Sequence, residues 1–197
     1  MLDMLVTDLN KLCDELPFHT GWYLKNLRTG ATAHRNGHVI VPSASTRKIA
    51  IMMTALKAVH EGKLALDQSV TILAKYQNND SGCFQHLQPG FTIQLRDVLV
   101  MMIIVSDNTC TGTVVDMVGV DAINALSQAV GMRGTTHRYG IPPAGMAGYR
   151  PAPETNATTP ADVGLLLERI LQGSQAPAVA AQLGSTPALC QLALDIL

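Results

Sequence analysis

Charge is scarce in this chain. Asp, Glu, Lys and Arg together make up 15% of its 197 residues, the formal net charge is −1, and hydrophobic residues reach 47%. So apolar a composition excludes a disordered chain, and the absence of any basic stripe leaves nothing for nucleic acid or an anionic membrane surface to bind. Long apolar runs are also missing. The longest, Val98 to Val105, suits the middle of a buried helix and is far too short to span a bilayer. The opening MLDMLVTDLNKL places Asp3 and Asp8 where a secretory leader would be apolar. The expectation is therefore a cytoplasmic protein, with a mature exported form as the alternative. Cys13, Cys83, Cys110 and Cys190 form no CxxC pair, so they are expected to be reduced and mostly buried small hydrophobes. No metal constellation and no cofactor motif is read from the residues. Repeats, low-complexity tracts and long linkers are absent too, and residues 1–197 read as a single domain.

What is present is mostly helical. Met4, Leu5, Leu9, Leu12 and Leu16 recur at helical spacing ahead of Pro17. Trp22, Leu24 and Leu27 then suggest a strand, Arg28-Thr29-Gly30 a turn, and Thr32 to His34 its hairpin partner. This hairpin is the only clear β-structure in the pattern. Ile49 to Val59 is apolar almost all round and should be a central helix stopped by Gly62. Residues 77–90 read as a polar loop, and a second apolar helix runs from Leu95 to Val105 with Thr92 as its cap. Asp121 to Val130 is a third helix, closed by Gly131. Residues 134–153 lack any period, and an unpatterned loop of that length inside a compact domain is usually functional or disordered. Pro160 to Leu171 and Pro187 to Leu197 complete the helices.

Three short features carry chemistry. Ser45-Thr46-Arg47-Lys48 opens the buried helix, and at i and i+3 the serine and lysine share one face. A lysine kept partly neutral by burial can take a proton from that serine, while the helix N-terminus directs free N–H groups toward an oxyanion forming there. Ser106-Asp107-Asn108 follows the second apolar run, presenting a hydroxyl for proton relay and an amide to hold a substrate. The third feature, Glu154 to Pro160, is mainly a helix cap. Glu154 is nevertheless the sole carboxylate between Asp121 and Asp162, so it is the one local candidate for activating water. Each of the first two features has a plain structural explanation, as a helix start and a helix stop.

Taken together, SxxK and SDN resemble the signature of the class A β-lactamases and penicillin-recognising serine hydrolases, which also includes a KTG element. The flanks VPSASTRKIAIMMTAL, PGFTIQLRDVLVMMIIVSDNTCTGTVVDMVG and NATTPADVGLLLERILQG resemble the same family, so the likeness runs from about Thr20 onward. It implies an α+β fold of the β-lactamase/transpeptidase type, an α/β sandwich. Here that would be a mostly helical region with an N-terminal hairpin and with the C-terminal strands missing. It also implies that Ser45 is acylated and that Lys48 is its base or part of a relay. Ser106 would pass the proton to the leaving nitrogen, and Asn108 would contact substrate and Lys48. No cofactor or metal is implied; the substrate would be a small amide or ester.

Two departures bear on that expectation. No KTG element occurs, so the chain is expected to be truncated before that strand, with a missing segment or a second chain completing the sheet. The family carries a water-activating glutamate in its omega loop, where the matching stretch IPPAGMAGYRPAP has no acid, and Glu154 lies beyond its end. Acylation with slow turnover follows. The sequence leaves three readings: a β-lactamase-like hydrolase, a D-alanyl-D-alanine peptidase, and a non-catalytic binding or sensor domain.

Overall fold

The structure, a computed structural model, describes residues 2–141 and 151–197. Helix α1 (Leu2–Asp14) leads into a hairpin of β1 (Trp22–Lys25) and β2 (Thr32–Arg35), antiparallel with Trp22 opposite Arg35 and Lys25 opposite Thr32. The Asn26 side chain accepts the N–H groups of Arg28 and Thr29, and Gly30 takes the left-handed conformation (φ 74°) that closes the turn. Strand β3 (Val41–Pro42), a 3-10 turn at Ala44–Arg47 and helix α2 (Lys48–His60) follow. Then come β4 (Ser69–Thr71), β5 (Thr92–Gln94), α3 (Leu95–Ile104), α4 (Asn108–Val118) and α5 (Val120–Val130). Strand β6 (Ala157–Thr158) and helices α6 (Pro160–Gln175), α7 (Pro177–Gln182) and α8 (Pro187–Ile196) complete the chain.

Helix α2 sits at the centre because its sequence is apolar on every side. Ala50 to Leu56 are all buried, and α3, α4, α5 and α8 pack around it. The hairpin finds its support on α6. Gly164 leaves room for the Tyr23 ring, against which a Cβ would stand at 2.6 Å, and Lys25 bonds Glu168 at 2.6 Å. A two-stranded sheet is marginal alone, and this contact is what stabilises it.

Several expectations from sequence need correction. The hairpin is not the only β-structure: β3 pairs with β6 and β4 with β5, both antiparallel. Ladders of two or three residues between distant segments are too short to impose a period on the sequence. Thr92 does not cap α3; it lies in β5, and Gln94 holds the cap position without a side-chain bond. Ser45 is in the 3-10 turn rather than the α-helix. The short helix α7 went unread, because six residues give less than two turns of pattern. No helix among the described residues is long and apolar enough to cross a membrane.

Candidate active site

The nucleophile turn is fixed from both sides. The Ser43 N–H donates to the Asn156 carbonyl at 2.8 Å, and the Thr46 hydroxyl donates back to the Ser43 carbonyl at 2.6 Å. Between them Ser45 is exposed. Residues i and i+3 eclipse in a 3-10 turn, so Ser45 and Lys48 stay on one side. Ala44 enters the turn with φ 43°, a backbone that L-residues rarely adopt. Among the described residues no backbone carbonyl takes the Ser45 N–H, which stands free at the start of the α2 segment.

Ser106, Asp107 and Asn108 bridge α3 and α4 and meet this turn. Lys48 Nζ donates to the Ser106 carbonyl (2.5 Å), the Ser106 hydroxyl (2.9 Å) and Asn108 Oδ1 (2.9 Å). The Ser106 hydroxyl donates in turn to Ser45 Oγ at 2.8 Å. Four residues singled out from sequence are thus brought together. The direct Lys48–Ser45 contact expected from i,i+3 spacing is replaced by a line through Ser106, because the amine is drawn to three acceptors on the facing segment.

Asp107 faces away from this line. One carboxylate oxygen caps α4 by accepting the Cys110 N–H (3.0 Å), and the other accepts the Phe84 N–H (2.8 Å). The polar loop ahead of Phe84 is clamped to the same segment. Ser81 donates its hydroxyl to the Ser106 carbonyl, and its own carbonyl accepts the Asn108 N–H, both at 2.9 Å. Gly82 is required there: with φ 95°, a Cβ would lie 2.3 Å from Asp107 Cα. Sequence reasoning missed Ser81, whose only signal was its place in a polar loop.

Burial dominates the electrostatics. Lys48, 4% exposed, is held at a pKa of about 8, first by loss of hydration. Asp107 pulls the value up, and Arg47 pushes it down. Arg47 is itself buried, donating from Nε to His137 Nδ1 at 3.4 Å and from its terminal nitrogens to the Gly140 and Tyr139 carbonyls at 2.6 and 2.5 Å. Burial, then Arg47, lowers His137 to about 3. The sequence reading gave Arg47 and His137 no role, since neither matches a motif.

Asn156 joins these parts, accepting the Arg138 and Tyr139 N–H groups on its side chain while its carbonyl holds Ser43. Glu154 lies exposed at the end of a short turn, with no hydrogen bond to Ser45, Lys48 or Ser106 among the described residues. Most of the acid-free stretch lies outside the described residues. Cys110 and Cys190 are buried, Cys13 is half-buried and Cys83 is exposed; all four are free thiols. The sequence reading also passed over His34 and His38, which stand at H-x-x-x-H spacing. Their rings meet edge to face at 5.0 Å. No group of three or more His, Cys, Asp or Glu among the described residues could hold a metal.

Known proteins resemble this chain in sequence and in fold. Residues 4–183 match the model of the Beta-lactamase enzyme family. A D-alanyl-D-alanine endopeptidase of Pseudomonas aeruginosa is 30% identical over 159 residues, which is 78% of this chain and 46% of that protein. A β-lactamase from Sphaerobacter thermophilus superposes with a TM-score of 0.76 at 29% identity, covering 90% of this chain and 62% of that one. A PBP-A mutant, solved as an acyl-enzyme complex with penicillin G, gives 0.81 at 28% identity, with 99% and 68% covered. The chain therefore spans about half the length of that endopeptidase and about two thirds of these structures. Its fold is the α+β fold of those neighbours, present here as a part of it.

Proposed function

We propose that this chain, which belongs to the β-lactamase enzyme family, is the nucleophile-bearing part of a serine hydrolase that forms an acyl-enzyme on Ser45 with a β-lactam or a related amide or ester. The observation that carries this reading is the hydrogen-bonded line from Lys48 through Ser106 to Ser45. With Lys48 neutral, the line reverses. The Ser45 proton moves to the Ser106 oxygen as the Ser106 proton moves to Lys48, and Ser45 attacks the carbonyl carbon. A relay of this kind supplies about 10²–10⁴ in rate. The free Ser45 N–H, at the positive end of the α2 segment, donates to the developing oxyanion. Ser106 then returns the proton to the leaving nitrogen, while Asn108 orients both Lys48 and the substrate.

A second oxyanion donor and a KTG element would come from a further segment or a second chain completing the sheet. Glu154, the candidate from sequence for activating the deacylating water, is exposed and has no hydrogen bond to Ser45, Lys48 or Ser106 among the described residues. Deacylation is accordingly slow, and the acyl-enzyme accumulates. The name of the Pseudomonas relative supports a second reading, in which the acyl donor is a D-alanyl peptide of cell-wall type.

Intact mass measured after incubation with penicillin tests the reading. A stable adduct on the native chain and none on Ser45→Ala is the expected result; equal labelling of both, or of neither, would sink it. Turnover of a D-alanyl-D-alanine peptide without lactam labelling would favour the peptidase.

A further inference from the structure

The turn that carries the nucleophile also carries a cation with no anion to balance it. Arg47 is 7% exposed, and none of the ion pairs among the described residues includes it. Residues 142–150 (PPAGMAGYR) contain no acid, so no carboxylate elsewhere in this chain is left to pair with it. Among the described residues its partners are two carbonyls and a neutral imidazole. A neutral donor would satisfy the same carbonyls at far less desolvation cost, since a buried unpaired charge is among the most expensive groups a fold can hold. The guanidinium keeps its proton at neutral pH all the same, because burial lowers its pKa only to about 10.

The next residue is Lys48, whose amine is buried as well. We propose that Arg47 is a positioning residue that acts by charge: its unbalanced positive field weakens proton binding at Lys48 and so keeps a share of that amine neutral for the Ser106–Ser45 line. The use made of the neutral amine rests on the acyl-enzyme reading; the effect of the charge does not.

The groups around Lys48 fall on both sides of the balance. Desolvation favours the neutral amine most strongly. Asp107 at the start of α4, Cys110 within α4 and Asp80 in the clamped loop favour the charged form. Among the described residues Arg47 is the one neighbouring cation acting with burial. Asp107 is partly occupied elsewhere, with its two oxygens taken by the Cys110 and Phe84 N–H groups. Without Arg47, burial alone would oppose the acidic neighbours.

The test is to titrate Lys48 through its Cε resonance in protein labelled with 13C-lysine, assigned by its loss in Lys48→Arg. The native midpoint is expected near 8. Arg47→Gln, which keeps hydrogen-bond donors but no charge, should raise it by about half a pH unit or more. Arg47→Lys, which keeps the charge, should leave it near the native value. A native midpoint at the ordinary lysine value overturns the proposal, as does an unmoved midpoint in Arg47→Gln or an equal rise in Arg47→Lys. Should Arg47→Gln unfold, Arg47→Met takes its place, and the native midpoint and Arg47→Lys stand by themselves. The acid limb of penicillin acylation, recorded in parallel, should follow the same midpoints. A Lys48 that titrates as expected in a chain that penicillin never labels would remove the acyl-enzyme reading and leave the role of Arg47 intact.

Discussion

Ser106 presents its hydroxyl from a backbone that residues with a side chain seldom adopt, with φ 55°, and Ala44 enters the nucleophile turn at φ 43°. Each such residue costs about 1–3 kcal/mol; Ser106 lies within the hydrogen-bonded line, and Ala44 directly precedes its end at Ser45. The surrounding bonds hold them there: Ser81 and Lys48 on the Ser106 carbonyl, and Asn156 on Ser43. His137 shows a different cost at the same scale. Its folded pKa lies near 3, below the ordinary value of 6.5, because burial and Arg47 disfavour the charged ring. The unfolded chain therefore takes up a proton below about pH 6.5 that the folded chain refuses. Stability is complete above that pH and falls as pH drops toward 3, by up to about 1.4 kcal/mol per unit from this one group. Urea denaturation at pH 7, 5 and 4 should show a shallower loss for His137→Asn than for the native chain. Parallel losses in the two would disprove the assignment.

Among the elements, α6 is the one that ties the site to the remainder of the fold. Thr159 at its cap accepts the Asp162 N–H at 3.0 Å, and Pro160 begins it where a missing donor does no harm. Asp162 then accepts the Gly134 N–H and the Thr135 hydroxyl, both at 2.8 Å. Strand β6, just before the cap, pairs with β3, just before the nucleophile turn. Loss of the cap should thus be felt beyond the helix. Thr159→Ala is expected to cost about 1–2 kcal/mol, read as a lower urea midpoint. A loss within experimental scatter would show that the cap contributes nothing. Much of this element was legible, since Thr158-Thr159-Pro160 is a recognisable helix start. Its link to residues 134–135 was not, because a buried carboxylate serving a backbone N–H far away leaves no local pattern.

For the molecule as a whole, the core is built around α2, and the periphery carries little of the stability. Helix α1 buries no residue; Met4 is 72% exposed and Leu12 61%. Its link to the hairpin includes the Arg35–Asp14 pair, and surface pairs of that kind are worth about 0–1 kcal/mol. Removing residues 1–14 should therefore leave the unfolding free energy within about 1 kcal/mol of the intact chain, measured by urea denaturation. A drop of several kcal/mol would mean that α1 supports the core.

Sequence alone pointed to the family and the central helix and singled out Ser45, Lys48, Ser106 and Asn108, because spacing along a short segment and the apolar run beside it are local properties. It also set the lack of an acid in residues 141–153. Only the tertiary structure decided how those four connect. Lys48 reaches Ser45 through Ser106 because the segment after α3 brings three acceptors to a buried amine. It alone placed Arg47 against the Tyr139 and Gly140 carbonyls and paired β3 with β6. Contacts between residues roughly ninety or more positions apart depend on how the helices pack, and packing is a property of the whole chain rather than of any window within it.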